Sequence, residues 1–140
     1  MFLVDTNVIS ESRKGSRANA GVRRFFRTSQ RQGSGLFISV VTIGELRRGV
    51  ELIRHRGDLE QVRRLDRWLA GIVDEYAENT LDFGIDAAQI WGRLRVPRSE
   101  NALDKQIAAT ALCYDLTVVT RNAQDFHETT VKLLNPFEQT

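Results

Sequence analysis

The sequence predicts a single α/β domain built on a mainly parallel sheet covered by helices on both faces. Three observations point there. Short apolar, β-branched runs alternate with helical stretches along the chain, an order that requires crossover connections and therefore parallel strands. The length of 140 residues suits one domain with its own core. No repeat, low-complexity tract or linker interrupts residues 1 to 140, so they read as one unit.

The elements follow in order. FLV, residues 2 to 4, reads as a short buried strand that stops on Asp5. A helix around 18 to 31 carries Val22, Phe25 and Phe26 on its apolar side. LFISVV, 36 to 41, has strand length and composition. In TIGELRRGVELIRHRG, Ile43, Leu46, Val50 and Ile53 recur at helical steps, Thr42 to Glu45 fits a capping box, and Gly57 fits the helix end. Residues 58 to 74 form a second amphipathic helix through Leu59, Val62, Leu65, Leu69 and Ile72. YAENTL, 76 to 81, is a weaker strand, and 84 to 96 is helical with Pro97 near its stop. A small-residue helix spans 102 to 115, TVVT at 117 to 120 is a strand, and VKLL at 131 to 134 suits an edge strand.

Composition narrows the function classes. Hydrophobic residues at 41% and charged residues at 27% exclude a disordered chain. With Cys113 as the only cysteine there can be no internal disulfide, and its place in a small-residue helix predicts a core position. MFLVDTNV lacks a basic leader and no apolar run is long enough for a bilayer, so a cytoplasmic protein is expected. The net charge is +2, yet residues 13 to 31 hold Arg13, Lys14, Arg17, Arg23, Arg24, Arg27 and Arg31 with no acid among them. Arginine makes forked contacts to phosphate, but a solvated helix face explains the run as well.

The acids carry the chemistry. Ligands of a parallel α/β sheet bind at the carboxyl ends of its strands. Asp5 lies there, and Glu45 and Asp104, read as first-turn residues of helices, belong to the same edge. Asn122 and Asp125 follow the TVVT strand. Asp5, Glu45 and Asp104 each have a plain alternative as a helix cap or dipole partner, and Asp125 as a loop acid. Together they crowd like charges that only a cation would relieve, and oxygen donors without histidine or cysteine clusters suit Mg²⁺ or Mn²⁺.

VDTNVIS, SVVTIGELRRGV, LDKQIAATAL and VVTRNAQDF occur in this order along nearly the whole chain, with NPFE near the end. In these the sequence resembles PIN-domain ribonucleases, in particular the VapC/FitB branch of type II toxin-antitoxin toxins. The resemblance implies a three-layer α/β/α fold with about five strands, and Mg²⁺- or Mn²⁺-dependent hydrolysis of RNA. It maps Asp5, Glu45 and Asp104 onto an acidic metal-binding triad. Many relatives have an acid where this chain has Asn122, so either Asn122 or Asp125 fills the fourth position. Thr6 and Thr120 resemble hydroxyl residues that hold the acids, and Asn7 braces the turn. A homodimer and a small antitoxin covering the acidic groove are also implied, with the helix pair at 43 to 74 as a clamp.

Other residues fit less directly. Arg93, Arg95 and Arg98 could lead an RNA strand toward Asp104, or be solvated charges. His55 and His127 are the only histidines and do not suit a paired acid-base site, since His55 falls at the far end of its helix. There is no nucleophile elbow, phosphate loop or dinucleotide glycine pattern. Trp68 and Trp91 sit on amphipathic helices and fit core or interface. Two rival readings stay open: a non-catalytic scaffold holding an antitoxin on operator DNA, and an RNA-processing nuclease outside any toxin system.

Overall fold

In the computed structural model, which describes residues 1–138, the apolar opening run forms β1 (Phe2–Val4) at the centre of the sheet. Leu3 and Val4 are fully buried, as a strand covered on both faces requires. Helix α1 (Thr6–Ser12) starts at once, and Gly15–Arg17 makes one 3₁₀ turn. Helix α2 (Ala20–Gln32) is capped by Asn19, whose side chain accepts from the Gly21 and Val22 N–H groups. It ends on Gly33 at φ 65°, a left-handed conformation that glycine adopts without a Cβ clash.

Strand β2 (Leu36–Ser39) is two residues shorter than its apolar run. Ser39 accepts from the Val41 N–H and caps helix α3 (Val40–Arg56), so Val40 and Val41 are helical. This also corrects the capping box: Ser39, not Thr42, is the cap, and Glu45 falls in the second turn. The local hydrogen bond of the serine overrides the strand preference of two valines. Helix α4 (Leu59–Glu75) follows the left-handed Gly57 and is capped by Asp58.

Strand β3 (Thr80–Leu81) keeps only the end of its expected run. Ala77–Asn79 turns as a 3₁₀ helix, held by the Thr80 hydroxyl on the Tyr76 carbonyl at 2.8 Å and the Asn79 amide on the Leu36 carbonyl at 2.9 Å. Helices α5 (Ile85–Leu94) and α6 (Ala102–Tyr114) come next, then β4 (Thr117–Val119) and β5 (Leu133–Leu134).

Every strand pair is parallel, in the order β3-β2-β1-β4-β5. Leu3 lies between Phe37 of β2 and Val118 of β4, which fixes the central register. One core cluster joins Val4, Val8, Val22, Ile38, Leu46, Val62 and Leu69 from the α1–α4 side. The other joins Leu3, Ile107, Ala108, Ala111, Val118 and Phe126 around α6. The layers are therefore helix, sheet, helix. The alanines of α6 let that helix lie close to the strands, but burial ends at Ala111 and Cys113 is exposed in the last turn. The core expectation for Cys113 is thus corrected. Trp68 is half-buried and packs against the first cluster.

Candidate active site

The chain leaves β1 on one side to form β2 and β3, then returns on the other to form β4 and β5. Strand order reverses at β1, and the crevice beyond its carboxyl end is where such sheets take ligands. Asp5 occupies that point. It is 3% exposed and caps α1, with Oδ1 accepting the Thr6 N–H at 2.8 Å. Its Oδ2 accepts the Thr120 hydroxyl at 2.7 Å and the Asn7 amide at 3.4 Å. Thr120 itself follows β4 and is fixed by a backbone bond to the Leu134 carbonyl at 3.0 Å. Asn7 accepts the Arg121 N–H at 3.0 Å, tying the start of α1 to the end of β4.

Glu45 reaches this edge from α3 despite its later place in the helix. Its Oε1 accepts the Thr6 hydroxyl at 2.9 Å, and Thr6 also contacts the fully buried Thr42 hydroxyl at 3.4 Å. Thr42 is a supporting residue that its capping-box appearance concealed; its spacing of three from Glu45 on one helix face was the available signal. Asp104 lies half-buried in the first turn of α6. Asp125 is half-buried in the 3₁₀ turn Ala123–Phe126, and its N–H donates to the Asn122 carbonyl at 2.9 Å. Asn122 is exposed.

Electrostatics links these acids. Burial pushes Asp104 up from 3.8 to about 6, with further rises from the charges of Asp5, Asp125 and Glu45. Burial also raises Asp5; the bonds from Thr120 and Thr6 oppose that rise, the charge of Asp125 adds to it, and Asn7 opposes it. Glu45 is raised by burial and by Asp5, against the Thr6 bond and the Arg48 charge. The charge of Asp125 contributes to the rise of both Asp5 and Asp104.

Among the described residues, no three histidine, cysteine or acidic side chains meet the geometry of a metal-binding group. The donors still fit a small hard cation. Mg²⁺ takes one or two carboxylates directly and keeps several waters, so it needs no all-protein cage. Buried carboxylates that raise one another gain from any cation between them.

The arginines of the α5–α6 connection are largely engaged within the protein. Arg98 pairs with Glu128 at 2.6 Å, and the Arg95 guanidinium stacks 4.6 Å from the Trp91 ring centroid. Arg93 is exposed in the last turn of α5. The buried Lys105 donates to the Arg98 carbonyl at 2.7 Å and pins this connection to α6. Sequence reading missed that lysine because its neighbour Asp104 drew the functional interpretation. His55 lies in the final turn of α3, away from the acids, and His127 is exposed.

Known proteins resemble this chain in sequence and fold. A family model described as PIN domain matches residues 2–132. Toxin FitB of Neisseria gonorrhoeae is 32% identical over 142 residues, covering 98% of this chain and 99% of the relative. VapC ribonuclease Y4jK of Sinorhizobium fredii is 27% identical over 143 residues, covering 99% of each. The solved structure of FitAB bound to an IR36 DNA fragment matches with a TM-score of 0.85 at 28% identity, covering 100% of this chain and 98% of that one. With the acids at the switch point of an all-parallel sheet and this agreement along the chain, the protein belongs to the PIN-domain family and is a homologue of the FitB and VapC toxins.

Proposed function

We propose that this protein is a Mg²⁺- or Mn²⁺-dependent endoribonuclease acting as the toxin of a toxin-antitoxin pair. The observation that carries the proposal is the acidic cluster itself. Asp5, Glu45, Asp104 and Asp125 come from four separate elements to one strand edge, and Asp104 is held up to about 6 by burial and its acidic neighbours. Such a cluster is unfavourable for folding alone and useful for holding a cation against a phosphodiester.

Asp5 and Asp104 would hold the ion, with Glu45 as a further ligand or a base acting through water. Asp125 fits the fourth position better than the exposed Asn122, because its charge reaches both. When bound, the ion supplies an activated water and neutralises charge developing at the phosphate. Thr6 and Thr120 hold the Glu45 and Asp5 carboxylates in place, and Asn7 clamps the edge by joining α1 to Arg121. Kinship to the toxin FitB supports a cognate antitoxin as partner, and a homodimer belongs to the same proposal.

The test is cleavage of a labelled RNA pool by antitoxin-free protein with Mg²⁺, Mn²⁺ or EDTA. The parent should cut only with metal, and folded Asp5→Asn and Asp104→Asn should each lose a hundredfold or more, roughly what one essential charged group contributes. A folded, metal-supplied parent that cuts nothing overturns the reading. A second reading is favoured by the DNA in the FitAB structure: a scaffold that holds an antitoxin on operator DNA. It predicts operator binding, with antitoxin, that survives Asp5→Asn.

A further inference from the structure

The arginines of α2 form an exposed row with no acid on their own helix. Arg24, Arg27 and Arg31 are exposed and recur at steps of three and four. At about 100° per residue they share one face within an arc of about 60°, over about 10 Å of helix. Neighbours at these steps repel, and α2 carries no acid of its own to relieve them. Among the described residues none of the three enters an ion pair, whereas Arg47 and Arg54 share Asp66, Arg64 pairs with Glu60 and Arg98 pairs with Glu128. Glu138, in the turn packed against α2, makes no ion pair with the helix either.

The row also has a definite place. Helix α2 precedes β2 in a parallel crossover, so it runs back from the carboxyl edge with Arg24 nearer that edge and Arg31 farther away. Arg24 shares a small cavity with Leu134. The Leu134 carbonyl accepts the Thr120 N–H, and the Thr120 hydroxyl holds Asp5. Arg121, next along the chain, is exposed, and its guanidinium stacks 4.7 Å from the Phe137 ring centroid, beside α2. Arg24 and Arg121 thus both lie against the Leu134–Glu138 stretch, one beside Leu134 and the other on Phe137.

We infer that Arg24, Arg27 and Arg31 form a docking track for the phosphate backbone of the RNA substrate, leading into the acidic crevice by way of Arg121. This rests on the ribonuclease reading. Among the described residues the guanidinium forks enter no ion pair, and their span meets about three successive phosphates of a strand. Backbone contact of this kind positions a strand without reading its bases. It would supply affinity that the acidic crevice, repelling phosphate, cannot supply alone.

The experiment measures binding of a labelled single-stranded RNA in EDTA, across a NaCl series, for the parent and for Arg24→Gln/Arg27→Gln/Arg31→Gln. The control is Arg63→Gln/Arg64→Gln/Arg67→Gln, which removes equal charge from exposed positions on α4. Loss of three phosphate contacts should weaken binding on the order of tenfold and reduce the salt slope by about 2. The control should stay close to the parent. In the cleavage assay the α2 variant should show a raised KM with kcat at saturation unchanged. Equal binding by parent and α2 variant overturns the track, and so does an equal loss in the control, since charge in general would then suffice. Cleavage by the parent is scored separately. A parent that cuts RNA while the α2 variant binds normally refutes the track alone, and a parent that never cuts refutes the ribonuclease reading.

Discussion

At the scale of residues, the protein keeps ionisable groups where their charges oppose folding. Asp104 makes the point most clearly, with its carboxyl pushed up to about 6 from 3.8. A group whose pKa is higher in the folded state stabilises that state while protonated, and the contribution is lost as pH rises through the folded value. Asp5 and Glu45 are shifted in the same direction, whereas the lowered values of Glu11 and Asp66 bear on more acidic conditions. Metal-free protein should therefore melt at a higher temperature at pH 5 than at pH 7. Asp104→Asn should flatten that dependence, as thermal melts in EDTA will show. A melting point that falls between pH 7 and pH 5 contradicts the assignment.

At the scale of elements, helix ends decide where the acids lie. Asp5 serves both as the cap of α1 and as the acid at the end of β1, so strand and helix meet on one residue. Ser39 does the same between β2 and α3, fully buried and accepting the Val41 N–H. Removing that acceptor in Ser39→Ala should cost about 1 kcal/mol in urea unfolding. Glu45→Gln should leave the metal-free protein as stable as the parent or more so, because it removes a half-buried charge and keeps an oxygen for Thr6. The boundary was hard to read in sequence because Val40 and Val41 favour strand by propensity, and one side-chain hydrogen bond reverses the outcome.

At the scale of the whole molecule, the sheet gathers acids distant in sequence around its central strand. Asp5 and Glu45 are bridged by Thr6, and Asp5 is joined to the end of β4 by Thr120, 115 positions away in sequence. A cation bound there favours the folded state over the unfolded one, by about 2.7 kcal/mol when free metal is a hundred times the dissociation constant. The melting temperature should rise with Mg²⁺ or Mn²⁺ concentration for the parent and stay level for Asp5→Asn and Asp104→Asn. That shift needs no RNA, so it tests the acidic site apart from catalysis. A flat response in the folded parent would remove the metal from the account.

The order of strands and helices, the parallel sheet and the acids at its edge were legible in the sequence. Each depends on local periodicity, or on the rule that parallel strands present their carboxyl ends together. Tertiary structure alone decided that β3 shrinks to two residues beside Asn79, that Cys113 faces solvent, and that Glu45 reaches Thr6 from a second turn. It also decided which arginines are engaged, with Arg95 on Trp91 and Arg98 on Glu128 while Arg24, Arg27 and Arg31 stay free of ion pairs among the described residues. Pattern along a chain reports what each segment prefers by itself. Pairing, exposure and the sharing of charge depend on residues far apart in sequence, and only packing brings those together.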